Sequence, residues 1–323
     1  MDLKGKRILL IGPVFFDYEK EIKQELEYLG ADVEFYAEKP YSIFYRVSKQ
    51  ISIKLQKKVE RDYLNYVLSN VNNFDVFFLI RGEIVTEDFL RTLKQKNPNA
   101  IFIMYQWDSI KNNPNYVYLI KYFDKVSTFD MVDAKTLNIN YLPLFYSKKY
   151  ENLELSDDKK YDIAFFGSYH GDRLEVVKNV SQECERLGLD FKYHLFIPKL
   201  TLLKSILFLK IRLNDLKYLN INSVSINDIV KNYKITKAVL DIESPNQNGL
   251  TMRTIEVLGA GLKLITTNKK ILYEDIYTES NILVINRQLI KIDKEFLDNN
   301  INIHGKIIKF HINNWVLNNV RIS

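Results

Sequence analysis

The sequence predicts an α/β protein of two Rossmann-like domains whose parallel sheets face a cleft. Three observations predict it. Short apolar runs alternate with helix-period segments through residues 1–150. A polar stretch, with Ser156-Asp-Asp-Lys-Lys160 at its centre, interrupts the pattern. The alternation then restarts at Tyr161. Strands separated by helices imply right-handed βαβ units and a parallel sheet. The 323 residues suffice for two such domains, expected at residues 1–150 and 158–323.

In the first half, Arg7-Ile-Leu-Leu-Ile-Gly12 is a continuous apolar run, the pattern of a strand buried on both faces. Residues 19–29 have helical spacing and stop at Gly30. Strands are expected at 32–36, 75–80, 101–105, 124–129 and 139–142. Residues 43–71 are helical, as one helix or two. Thr86 is placed to cap a helix over 86–96, and Asp133 opens a shorter one. The second half gives strands at 161–166, 191–196, 238–242, 262–266 and 282–285. Helices are expected at 173–187, 225–233 and 251–258, with a closing helical region from Phe296.

Composition excludes several classes. Both charge signs are spread along the chain, and the net charge of +6 includes no basic block, so a dedicated nucleic-acid binder is not expected. A single cysteine, Cys184, excludes an internal disulfide and a Cys-based zinc site and fits a reducing cytoplasm. The first residues lead straight into a strand without an apolar signal segment. His170, His194, His304 and His311 show no metal-ligand spacing, and no Asp-x-Asp pair occurs. No metal is expected.

Ligands of parallel sheets bind beyond the carboxyl ends of the strands. In the second half this points to Asp241-Ile-Glu-Ser-Pro-Asn-Gln-Asn-Gly249, a polar loop that runs into Leu250-Thr-Met-Arg-Thr-Ile-Glu256. A helix starting there presents free N–H groups to an anion near Gly249. Arg253 and Glu256 are three apart and share a helix face. Arg can clamp a phosphate, and a carboxylate can accept from both hydroxyls of a ribose. Spacing alone equally allows a capped surface helix on which the two merely pair.

Arg253-x-x-Glu256-x-x-Gly259-x-Gly261-x-x-x-Ile265-Thr-Thr-Asn268 resembles the nucleotide-sugar motif of GT-B glycosyltransferases. It is most similar to the bacterial polysaccharide and lipopolysaccharide group related to CgeB-like enzymes. Tyr161-Asp-Ile-Ala-Phe-Phe-Gly-Ser-Tyr169, Tyr105-Gln-Trp-Asp108 and Tyr141-Leu-Pro-Leu-Phe145 fit the same group. The resemblance implies a metal-independent transferase moving a sugar from a nucleotide-sugar donor to a glycan or lipid-linked glycan acceptor. It implies that Glu256 holds the donor ribose and that Arg253 lies near the diphosphate or donor sugar. One departure matters. Many retaining members carry a second Glu with seven residues between the pair, and here that position is Asn248. Stereochemistry therefore stays open. So do two other functions for the same architecture: an epimerase-like nucleotide-sugar enzyme and a non-catalytic nucleotide or glycan binder.

Gly167-Ser-Tyr-His-Gly-Asp-Arg173 joins a strand to a helix. It is either a plain turn or a loop setting Gly167, Ser168, Tyr169 and Arg173 beside the donor diphosphate. In the first half, Asp17, Glu83 and Asp108 follow strands and are candidates to take a proton from the acceptor. Asp108 leads because Trp107 could give it an apolar wall, although a turn role before Ser109 is the competing reading. Residues 199–217 mix Leu, Ile and Phe with five cations. They form either an amphipathic helix packed on the second domain or a patch for peripheral membrane association.

Overall fold

The computed structural model describes residues 3–151, 153–245, 247–299 and 305–321. The chain divides into two compact units, residues 1–144 with 312–323, and residues 145–311.

The first unit runs β1 (Arg7–Gly12), α1 (Tyr18–Tyr28), β2 (Asp32–Ala37), α2 (Ile43–Ile51), α3 (Ile53–Asn70), β3 (Val76–Ile80), α4 (Glu87–Lys96), β4 (Ile101–Gln106), α5 (Tyr116–Leu119), β5 (Lys125–Thr128), α6 (Met131–Leu137) and β6 (Asn140–Tyr141). The second runs β7 (Tyr161–Ser168), α7 (Arg173–Leu187), β8 (Phe191–Phe196), α8 (Lys199–Leu207), β9 (Leu219–Asn220), α9 (Ile226–Lys234), β10 (Thr236–Asp241), α10 (Met252–Gly259), β11 (Lys263–Thr266), β12 (Ile282–Val284) and α11 (Lys294–Asp298). A last helix, α12 (Ile312–Val320), returns to the first unit.

Each unit holds one six-stranded sheet, with every described pairing parallel. The orders are β2-β1-β3-β4-β5-β6 and β12-β11-β10-β7-β8-β9. The strand order reverses between β1 and β3 in the first sheet and between β10 and β7 in the second. Loops leaving those strands diverge to opposite faces there and open a crevice.

Strand alternation builds the cores. Along β7, Ile163 and Phe165 join one buried cluster with Val176, Val177 and Val180 of α7. Ala164 and Phe166 join another with Ile255 and Leu258 of α10. Successive strand residues point to opposite faces, so an all-apolar strand feeds two cores. Gly259 ends α10 where an added Cβ would run into the Tyr146 ring, so only glycine fits this approach.

The predicted elements appear close to their expected bounds; one open alternative is resolved and two details differ. Residues 43–71 form two helices, divided at Ser52, whose hydroxyl caps the second. Asp130, three residues ahead of the expected start, caps α6: its Oδ1 accepts from the N–H of Val132 and of Asp133. Finally, the expected second domain runs to residue 323, whereas α12 packs in the first unit. Its apolar stripe of Ile312, Trp315 and Val316 explains why. Trp315 meets Tyr105 of β4 edge-on at 4.7 Å and lies against Phe78 of β3.

Candidate functional site

In the second unit the groups of interest gather where the strand order reverses, at the carboxyl ends of β7 and β10. Asp241 ends β10 fully buried. Its Oδ2 accepts from the hydroxyls of Thr251 and Thr254, each at 2.7 Å. Thr251 is the N-cap of α10 and accepts from the Thr254 N–H at 3.0 Å. One carboxylate therefore fixes the first turn of the helix that carries Arg253 and Glu256. A capped, anchored N-terminus favours negative charge beside it.

The loop between β10 and α10 is held from β11. Asn268 donates from Nδ2 to the Gly249 carbonyl at 3.1 Å, and the Thr267 hydroxyl donates to Glu243. This is how Ile265-Thr-Thr-Asn268 belongs to the site: it braces the loop. Glu243 also binds Arg287, with Nη2 at 2.7 Å from Oε1. Arg287 reaches Asp172 as well, at 2.6 Å. Glu243 is thus held in an ion pair, and it does not occupy the register at which Asn248 stands.

Three guanidiniums from three elements meet here. Arg253 lies over the Phe165 ring at 5.7 Å. Burial alone would lower its pKa, but Tyr233, Asp241 and Glu256 outweigh it and raise it. Burial pushes the Tyr233 phenol up to about 12. Arg173 donates to the carbonyls of Ile242 at 2.9 Å and Ser168 at 3.1 Å, tying the end of β10 to the end of β7. Its pKa is lowered, by burial first and then by the nearby charges of Arg253 and Arg287. Such mutual repulsion is relieved by an anion. Gly167 sits where a Cβ would lie 2.7 Å from the Phe165 ring. Ser168 is exposed, and Tyr169 packs partly against the core. Glu256 is buried on the same helix.

In the first unit, the loops after β2, β3 and β4 converge on Arg81. Its φ is +65°, a left-handed conformation that L residues with side chains seldom adopt. The carbonyl of Arg81 accepts from Gln106 at 3.0 Å and Asn113 at 3.1 Å, which over-determines the turn. Its guanidinium is gripped by fully buried Glu38 through Nε at 3.0 Å and through Nη2. It also reaches Glu83 at 3.3 Å and Asp108 at 3.4 Å. Glu83 pairs with Lys39 too. Burial would raise the Glu83 carboxyl, but Lys39 and Arg81 prevail and hold it below its ordinary value. That favours a standing anion over a proton carrier.

Asp108 and Glu83 are therefore brought together on one guanidinium. Asp17 pairs with Lys20 at 2.7 Å on an exposed turn, where Phe16 and Asp17 both have positive φ. Trp107 packs on Tyr18 at 5.8 Å, and the charged group against Asp108 is Arg81. The same loop exposes Phe15 and Phe16, aromatic faces of the kind that sugar rings stack on. Glu38 and Arg287 escaped the sequence reading. Each is a charged residue just beyond the end of a strand, and that position was the available signal.

Among the described residues no group of three or more His, Cys, Asp and Glu could hold a metal ion, and His304 lies outside them. Nor is any described helix long and apolar enough to cross a membrane.

No family model and no curated protein matches the chain. Solved structures do match. The lipopolysaccharide outer core galactosyltransferase WaaB in its apo form is similar at a TM-score of 0.56 and 13% identity, over 97% of both chains. A glycosyltransferase from Rickettsia africae gives 0.55 and 12%, over 98% of this chain and 94% of that one. Anabaena HepE in complex with UDP and glucose gives 0.53 and 10%, over 88% and 87%. The chain has the GT-B fold. At this identity the likeness establishes architecture alone. In GT-B terms, Arg253 and Glu256 stand on the second sheet's side at its point of reversal, and Arg81, Glu83 and Asp108 on the first sheet's.

Proposed function

We propose that the protein is a metal-independent glycosyltransferase of the CgeB-related group. It moves a sugar from a nucleotide-sugar donor to a glycan or lipid-linked glycan acceptor in bacterial surface polysaccharide synthesis. The observation that carries the reading is the second unit's reversal point. There an anchored helix N-terminus, an Arg173 guanidinium disfavoured by burial and by the charges of Arg253 and Arg287, and a buried helix carboxylate come together. A nucleoside diphosphate supplies what that arrangement lacks, two negative phosphates and a ribose diol. Arg253 and the α10 N-terminus offset the diphosphate charge, and Glu256 accepts from the ribose hydroxyls. Arg173 and Arg287 hold the β7 and β10 loops in place. The solved relatives that bind UDP with glucose or transfer galactose favour this choice of ligand.

On the first unit, Phe15 and Phe16 give the acceptor an aromatic surface, and Asp108 takes the proton of the attacking hydroxyl. Arg81 keeps the Asp108 carboxylate oriented and Glu83 charged. Residues 199–217 support action at the cytoplasmic face of a membrane. Leu202 and Ile206 pack inward, while Leu203, Leu207 and Phe208 stay exposed among Lys204, Lys210 and Arg212.

A melting screen with UDP, GDP, CMP and TDP tests the reading, run with and without EDTA. One nucleotide should add roughly RT ln of its concentration over Kd to the stability and so raise the Tm by a few degrees, and chelation should leave the shift intact. No shift with any of the four contradicts it.

A further inference from the structure

α2 is turned inside out. Its buried positions are Tyr45 and Ser48, and its apolar side chains face solvent. Ile43, Phe44, Val47 and Ile51 are exposed, at 72, 60, 44 and 69%, and Ile53 follows at the start of α3. At about 100° per residue the four helical positions fall within one arc of roughly 100°. A helix that packs through Tyr and Ser while presenting a compact apolar arc is not built for this chain's own core. Its attachment is polar: the Tyr45 hydroxyl donates to Glu60 of α3 at 2.7 Å, and the Ser48 hydroxyl to the Tyr45 carbonyl at 2.8 Å.

The charge along this segment has one sign, while Glu60 of α3 is engaged by Tyr45 and Glu83 feels the charge of Lys49. No Asp or Glu occurs between Glu38 and Glu60. Within that interval Arg46, Lys49, Lys54, Lys57 and Lys58 are all exposed. A protein partner or a second copy of this face would have to neutralise five cations around an apolar centre, and a second copy brings five more. An anionic bilayer does so without special fit, because acyl chains take the apolar arc and headgroup phosphates take the cations. We infer that α2 and the start of α3 form a lipid-docking surface that seats the first unit on an anionic phospholipid membrane. This surface is separate in sequence from residues 199–217 and rests on different side chains.

The test is sedimentation of the full chain with vesicles of phosphatidylcholine alone, and of phosphatidylcholine mixed with phosphatidylglycerol. The protein should bind the mixed vesicles, release as salt rises, and bind the neutral ones weakly. Phe44→Glu with Ile51→Glu should weaken binding to mixed vesicles about tenfold or more while leaving the Tm unchanged, since both side chains point outward. Lys49→Glu with Lys54→Glu gives the same reading through charge alone, should the first variant fold poorly. Binding unchanged in the charge-reversed variant overturns the inference. So does binding lost only in Leu203→Glu with Phe208→Glu, which puts the lipid contact on the second unit. A wild-type dimer that the Phe44 and Ile51 changes dissolve, with no vesicle binding, makes the face a self-interface and overturns it as well.

Discussion

The two points of strand reversal share a topology and differ in how they hold their charges. In the second unit, three arginines approach one another, and hydroxyls and glycine shape the backbone around them. In the first, a single Arg81 is surrounded by Glu38, Glu83 and Asp108, and the turn that carries it is strained. The first arrangement is relieved by an incoming anion. The second keeps Glu83 charged and ties Asp108 to the same guanidinium. On the proposed function, one fold thus yields an anion site and a carboxylate site, and the residues just past the strand ends decide which.

The largest expected effect separates the two sites. Asp108→Asn should lower product formation with a nucleotide-sugar and a lipid-linked acceptor about a thousandfold, with nucleotide binding retained. Equal loss of binding would move Asp108 out of the proton-transfer role. Asp241→Ala removes the acceptor of the buried Thr254 and half-buried Thr251 hydroxyls and should cost about 3 kcal/mol, a fall in Tm of about 8 °C, with donor binding weakened alongside. A Tm within a degree or so of wild type would show that α10 does not depend on that anchor.

The contrast also marks what sequence can reveal. Both sheets, apart from the two-residue edge strand β9, were legible because buried parallel strands are short apolar runs, and Arg253 with Glu256 was legible because α10 has a cap signal, Thr251, and a glycine stop. The partner of each charge was not. Asp241 looked like part of a loop, and its role appears only when Thr251 and Thr254 turn back onto it. Glu38 and Arg81 are 43 residues apart, and no local period links them. The return of α12 to the first sheet was equally hidden, since an apolar helical stripe does not name the sheet it covers. The apolar arc of α2 reads as an ordinary buried face until the structure turns it outward.

Two smaller effects refine the comparison. Thr251→Ala removes the α10 cap and should cost about 1 kcal/mol by thermal melting. An effect near zero would mean that water replaces the hydroxyl. Glu83 is held below its ordinary carboxyl value of 4.5, so its ion pairs contribute stability above that pH and lose it as the pH falls through the lowered folded value. Glu83→Gln should flatten the acid limb of a Tm-against-pH profile measured below about 4.5. An unchanged limb would locate the acid sensitivity elsewhere.

The central claim is that Arg253 and Glu256 bind the donor. Calorimetric titration of the nucleotide that raises the Tm, into wild type, Arg253→Ala and Glu256→Ala, tests it most directly. Each variant should bind about tenfold more weakly or worse, measured on protein that is still folded at the titration temperature. Folded variants that bind with wild-type affinity would contradict the account.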